Sequence, residues 1–258
     1  MSTSAAQILA LINGYTDLKD YFETQRTDLQ ADIATAQNAY DALATNLKGV
    51  ARGEMYKVVY VNKLTGDDAN DGKQATPFAT FEAAINSGAR NSHLIIALAA
   101  LQTHDMTVNA ANDLRHLHLY NYGGAASDRA TLKRQTGYCI LNNTSFRSQG
   151  VDYDCTNGNG ISLRYGGHVS VTQSDILIGG SHACFAGWVA AHVGMEATNI
   201  TITEAAGATT PKLLEATTWS LALGAPYAMP ASKTPGDYLN VVTGANGELL
   251  NGIINVAL

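Results

Sequence analysis

Large apolar side chains near the start of the chain recur at alternating steps of three and four residues. They fall at Ile8, Leu11, Tyr15, Leu18, Phe22 and Leu29, with Gln25 in the slot between the last two. The pattern resumes at Ile33, Ala36, Tyr40, Leu43, Leu47 and Val50. This is the period of an amphipathic helix with one apolar stripe. Ser4 and Gln7 have capping-box spacing at its start, and Gly49 is the expected stop. A helix of that extent would be roughly 65–70 Å long. Its stripe is too narrow, and too poor in nearby partner sequence, for burial within the chain. The expectation is therefore self-association as a coiled coil or bundle. Ile8, Leu11, Tyr15, Leu18, Phe22, Leu29, Ile33, Tyr40, Leu43 and Leu47 would form the seam. The step from Leu29 to Ile33 adds a residue to the heptad phase, a stutter that locally unwinds a left-handed supercoil. Polar Gln25 would set register, and the wide Tyr15 and Tyr40 point to three or more strands.

At Val58 the period changes. Val58, Val59, Tyr60 and Val61 read as a strand, followed by a polar loop rich in Asn, Asp and Gly. After Pro77 a short helix is expected, with Phe81, Ala84 and Ile85 inward. From His93 to Ala205 short β-rich runs alternate with turn residues. Val169, Val171, Asp175, Ile176 and Ile178 match Val193, Met195, Asn199, Ile200 and Ile202 at an offset of 24 residues, and His168 matches His192. Thr144, Phe146, Gly150, Val151 and Tyr153 match the first set at an offset of 25. Repeats of this size built from short strands predict stacked coils, as in a parallel β-helix. An antiparallel sandwich is the alternative, but it needs no fixed offset. Asp175 and Asn199 would occupy turns.

Beyond Ala205 this register fades, and four of the five prolines lie there. The closing apolar runs flank Gly244 to Gly247 and read as a terminal hairpin or intersubunit strands. The expected organisation is a helical stalk over 1–52, a strand–loop–helix cap over 53–92, a β-helix over 93–205 and a small β tip over 206–258. The fold class is mostly β.

Charge narrows the functions. Sixteen Lys and Arg against 22 Asp and Glu give a net charge of −6, unlike the basic footprint of a nucleic-acid binder. No apolar run approaches the ~20 residues of a membrane-spanning helix, and the first residues lack the basic stretch of a secretory signal. Neither membrane insertion nor a nucleic-acid partner is expected. Cys139, Cys155 and Cys184 are odd in number and lack CxxC spacing, so free thiols in a reducing compartment are expected. The acidic loop lacks the ligand order of a calcium loop: Ala69 follows Asp67 and Asp68, and Phe78 stands where the closing Glu would be. It reads as a turn. His116 and His118 share a strand face without a third ligand, so no metal or cofactor is expected. Tyr153, Arg164, Tyr165 and Trp188 are candidates for stacking on sugars, with Arg164 and Trp188 at one repeat position.

The segments YVN, TGDDANDG and TPFATFEAAI, between Tyr60 and Ile85, resemble the N-terminal lead-in of pectate-lyase-like right-handed parallel β-helices. Joined to a coiled-coil-like N-terminus, the arrangement is similar to bacteriophage tail spikes and tail fibres, which are homotrimers. The resemblance covers residues 56–205. It implies a virion appendage, made in the host cytoplasm, that attaches to a host-surface glycan or protein. The N-terminal helix would join other tail or neck proteins. Two alternatives accompany it: a polysaccharide-depolymerising tail spike, or a structural neck or collar fibre. A depolymerase would need grouped carboxylates, and Asp152, Asp154, Asp175 and Glu196 are the candidates. The family's catalytic motifs are not recognisable, so the expected role is non-enzymatic.

Overall fold

The computed structural model describes residues 4–258, apart from 107–109, 113, 126, 136–138, 143, 158–159, 166, 180–182, 189–191, 240–251 and 255–258. The chain divides into two units, Met1–Gly53 and Glu54–Leu258.

Helix α1 spans Ala5–Met55, 51 residues, or about 76 Å at the usual rise. The capping box forms: the Ser4 backbone N–H donates to Gln7 Oε1 (3.1 Å), and the Gln7 N–H to Ser4 Oγ (3.4 Å). The expected stop at Gly49 is wrong. Gly49 and Gly53 keep negative φ and the helix runs through both. An interior glycine costs only about 1 kcal/mol, too little to end so long a helix. The ten residues expected to form the seam are all exposed, from 51% at Ile8 to 77% at Leu11.

The second unit is a parallel β-solenoid. Its strands are β1 (Tyr56–Val61), β2 (His93–Ala99), β3 (Thr103–Met106), β4 (Ala110–Asn112), β5 (His116–Tyr122), β6 (Ala130–Arg134), β7 (Cys139–Asn142) and β8 (Ser145–Gln149). They continue as β9 (Val151–Cys155), β10 (Ile161–Arg164), β11 (Gly167–Ile178), β12 (Ala183–Trp188), β13 (His192–Glu204), β14 (Lys212–Glu215), β15 (Thr218–Ala228) and β16 (Gly252–Ile254). Every pairing between these strands is parallel. They make three faces. The first stacks β1, β2, β5, β8 and the leading halves of β11, β13 and β15, then β16. The second stacks β3, β6, β9 and the trailing half of β11, whose neighbour is the trailing half of β13. The third stacks β4, β7, β10, β12 and β14.

The corner between the first two faces explains the repeat. Gly150, Gln173 and Asn199 all have positive φ, at 66°, 55° and 52°. Register places these three in line, one per coil. Each breaks the extended strand by visiting the left-handed region, which Gly and Asn tolerate best. Phe146 therefore stacks on Val169 and Met195, and Tyr153 on Ile176 and Ile202. The offsets of 24 and 25 inferred from sequence are corrected to 26 and 23. Side-chain polarity pairs the right coils but slides the middle one by two residues. A slip of two leaves every inward side chain inward, so polarity alone does not detect it. Asp175 accordingly lies in a strand, not a turn, and its register partner is Thr201. His168 pairs with Ser145 and Gly194, so it does not stack on His192.

The loop before helix α2 (Phe81–Asn86) is a turn whose carboxylates serve its own backbone. Asp68 Oδ1 accepts the Ala79 and Thr80 N–H groups at 2.9 Å, and Asp67 Oδ1 accepts that of Ala69. Asp71 is bound by Lys73 and Thr76, which hold its carboxyl far below the usual range. The loop wraps Phe78, which is buried. A Cβ on Gly66 would lie 2.2 Å from the Phe78 carbonyl oxygen, and one on Gly72 (φ 75°) 2.4 Å from its ring. Thr80 caps α2, and Phe81, Ala84 and Ile85 face the core as expected.

Two further expectations are overturned. The β-helix does not end at Ala205: β14 stacks on β12 and β15 on β13, so much of the supposed tip is another coil. Beyond it Tyr238 is fully buried and donates to Glu204 Oε1 (3.0 Å). The runs flanking Gly244 to Gly247, expected as a terminal hairpin or intersubunit strands, lie mostly outside the described residues; β16, described within them, pairs in parallel with β15. Cys155 and Cys184 are not free thiols. Both point into the core, with Cα atoms 5.3 Å apart, and form a disulfide. Spacing along the chain carries no trace of this pair, because coiling brings together residues 29 apart. The Cys139 side chain lies outside the described residues.

Candidate functional site

Asp152 and Asp154 alternate outward along β9, on the second face, with Tyr153 between them pointing inward. Tyr153 is 2% exposed, and its ring lies 5.5 Å from that of Phe185. It is a core residue and does not stack on an external sugar, which corrects its candidacy. Strand alternation forces this: two outward carboxylates at 152 and 154 place 153 on the opposite face.

The carboxylates are held in ion pairs. Arg129 Nη1 lies 3.1 Å from Asp152 and 3.3 Å from Asp175, bridging two coils. Asp152 Oδ1 also accepts the Asp175 N–H (2.8 Å). Lys133 pairs with Asp154 (3.1 Å) from the register position directly beside it. Partial burial raises the Asp154 pKa, but bonds from Thr156 and Lys133 outweigh it and leave the carboxyl below its ordinary value. A carboxyl tuned this way is not suited to be a general acid. Glu196 sits on the first face, around the corner made by Asn199, and approaches His168 Nε2 at 3.7 Å. Glu196 and the aspartates thus do not converge on one groove. Sequence reasoning missed Arg129 and Lys133; the cross-coil register that would reveal them is not visible without the turns.

The first face carries a stripe of rings. Tyr56, His93 and His116 occupy consecutive rungs, with centroids 6.4 and 5.7 Å apart. His118 and Tyr120 flank them, and Tyr60 meets Tyr122 edge-on at 5.0 Å. Burial, then repulsion from His93 and Arg147, lowers the His116 pKa. Burial, then Arg147 and His116, lowers that of His118. Among the described residues no group of three or more His, Cys, Asp or Glu is placed to hold a metal ion.

The remaining candidates meet at another edge, where the third face turns back to the first. Arg164 ends β10 and pairs in register with Trp188, as their shared repeat position implied. The Trp188 side chain lies outside the described residues. Tyr165 follows in a left-handed conformation (φ 66°) and is 60% exposed. The Arg164 guanidinium lies 5.9 Å from its ring centroid. Both line a hollow of about 820 Å³ together with Arg90, Asn91, Arg115 and Asn142. Arg90, Asn91 and Arg115 were not singled out from sequence, since they lie on two coils apart from that of Arg164 and only stacking gathers them.

Together these features define a β-solenoid protein with a long N-terminal helix and a basic hollow along one edge. No protein-family model, curated protein or solved structure matches the chain. Among the described residues no helix is long and apolar enough to cross a membrane.

Proposed function

We propose that this chain is a bacteriophage virion appendage of the tail-fibre or tail-spike type. It acts as a non-enzymatic homotrimer that attaches to the host surface. One observation carries the reading: α1 exposes every residue of a long apolar stripe, while the solenoid buries its own core fully. The helix therefore needs partners from outside its chain. In its first half Leu9, Ile12 and Tyr21 are exposed beside the seam positions, which widens the stripe beyond a two-stranded seam and favours a bundle of three. The β-solenoid supplies a stiff, repetitive surface suited to holding an extended ligand. The ion pairing and separation of Asp152, Asp154 and Glu196 speak for binding over cleavage.

Sedimentation equilibrium of the full chain at micromolar concentration should return three times 27.2 kDa; a monomer overturns the trimer. Gold-labelled antibody against the chain should mark the tail or neck of phage particles whose genome encodes it. Intact particles that carry no label overturn the virion assignment.

A further inference from the structure

On the first face, the outward side chains around Gly194 of β13 form a cross. His168 on β11 and Ser220 on β15 are its register partners in the coils before and after. His192 and Glu196 are the neighbouring outward positions along β13 itself. Gly194 has no side chain, so the four surround a gap. A Cβ there would lie 3.2 Å from His168 Nδ1 and 3.3 Å from Ser220 Oγ. The result is a hollow of about 360 Å³, lined by Gly194, His168, Glu196, Ser220, Ala222 and Ile253. Ile253 pairs with Ser220 in register and is 73% exposed, an apolar side chain beside polar ones. The polar groups hold one another only loosely. His168 Nε2 lies 3.7 Å from Glu196, beyond hydrogen-bond length, and His192 Nε2 lies 3.4 Å from Ser220 Oγ.

We infer that this hollow binds one ring of a neutral sugar in a host-surface glycan, with Glu196, His168 and Ser220 taking its hydroxyls and Ile253 covering an apolar face of the ring. A sugar ring carries hydroxyls that both donate and accept, set around faces of C–H groups. The hollow offers the complement: a carboxylate that accepts, a hydroxyl and an imidazole that can do either, and an exposed aliphatic wall. Glu196 repels carboxylate and phosphate, and so selects against acidic sugars. The volume is at the low end for a small-molecule site, which suits one ring rather than a longer stretch of chain. Neighbouring outward positions carry short residues, Ser170, Thr198 and Gly224 among them, so the rest of a polymer can pass over the face. The inference rests on the attachment reading and names the class of ligand that reading leaves open.

The test is saturation-transfer NMR of the full-length protein with D-glucose, D-galactose and D-mannose, each beside its own uronate. At least one neutral sugar should bind in the millimolar range, ordinary for a single exposed ring. Its uronate should bind about tenfold more weakly or not at all. Gly194→Val fills the gap with a residue suited to a strand, so it should abolish the signal while melting like the parent. If it melts early, Glu196→Gln and Ser220→Ala carry the test, since each removes a partner without adding bulk. Each should weaken binding by between about three- and tenfold. Gln149→Ala, exposed on the same face outside the hollow, should bind like the parent. No signal from any of the three sugars, equal binding of the uronate, or unchanged affinity in the well-folded variants overturns the inference. Its failure is separable from that of the attachment reading. A protein that binds none of the sugars yet still coats host cells overturns the hollow and leaves attachment standing. Sugar binding that Gly194→Val removes, in a protein absent from virions, upholds the hollow and overturns the appendage.

Discussion

The helix and the solenoid handle apolar surface in opposite ways. In the solenoid, inward positions such as Phe146, Val169 and Met195 lose nearly all contact with water, because each coil covers the next. In α1 the corresponding residues stay more than half exposed. Both regions are periodic in sequence, with period two in one and alternating threes and fours in the other. The difference is where the partner comes from. A strand's partner lies one coil away in its own chain, whereas a lone helix has no such neighbour. One chain thus holds a region that covers its own apolar positions and another that leaves them exposed.

The comparison breaks most sharply at the helix. Leu11→Asp with Leu18→Asp puts two charges in the middle of the exposed stripe, and assembly should be lost entirely. Sedimentation reads the mass, and the far-ultraviolet β signature of the solenoid should remain. If the double variant still assembles, the stripe is not the seam. The solenoid counterpart is Phe146→Ala. Phe146 is fully buried, with its ring 6.2 Å from that of Phe185. Its truncation should cost about 3–5 kcal/mol in chemical denaturation, with the oligomeric mass unchanged. Loss of both properties together would show that the two regions depend on each other.

A smaller effect separates backbone from packing. Gly72→Ala would place a methyl 2.4 Å from the Phe78 ring at a φ of 75°. The strained conformation alone costs about 1–2 kcal/mol, and displacement of Phe78 adds to it. Gly14→Ala, in the helix with nothing within 4 Å of the new methyl, should instead favour the helix slightly. The same change of residue should thus carry opposite signs in the two regions, read as shifts in melting temperature.

These contrasts mark what was legible in the sequence. The helix, the stacked strands and the cap showed in side-chain polarity alone, as did the inward set Phe81, Ala84 and Ile85. Register did not, because it is fixed at Gly150, Gln173 and Asn199 by backbone conformation, and Gln gives no hint of a left-handed residue. What depended on register was lost with it: the Cys155–Cys184 pair, the Arg129 bridge between Asp152 and Asp175, and the gathering of Arg90 and Arg115 beside Arg164. Tyr153 is a different case. Its inward direction follows from the outward alternation of Asp152 and Asp154, so side-chain alternation alone is enough to exclude it as a sugar platform.

The smallest expected effect concerns acid. On the second face Asp105 and Asp154 both titrate below their ordinary value of 3.8. Partial burial raises each, but Lys63 and Gln135 bind Asp105, and Thr156 and Lys133 bind Asp154, and these contacts prevail. A carboxyl whose folded pKa is depressed contributes stability above its unfolded pKa and loses that contribution as pH falls through the folded value. Solenoid stability should therefore fall in two steps as pH drops: from about pH 6.5, where the unfolded chain protonates His116 and His118 while burial keeps them neutral in the fold, and again from about pH 4, as these carboxylates take up protons. Lys133→Met removes the cation beside Asp154, so its carboxyl should titrate closer to the ordinary range; stability at neutral pH should drop and the acid decline below about pH 4 should become shallower. The helix offers the internal control. Its ion pair between Lys19 and Glu23, at 3.7 Å, has both side chains more than half exposed and should contribute little. Melting followed from pH 6 to pH 2 should thus separate a β transition that moves under Lys133→Met from a helical one that does not; equal movement of both would place the acid sensitivity outside the second face.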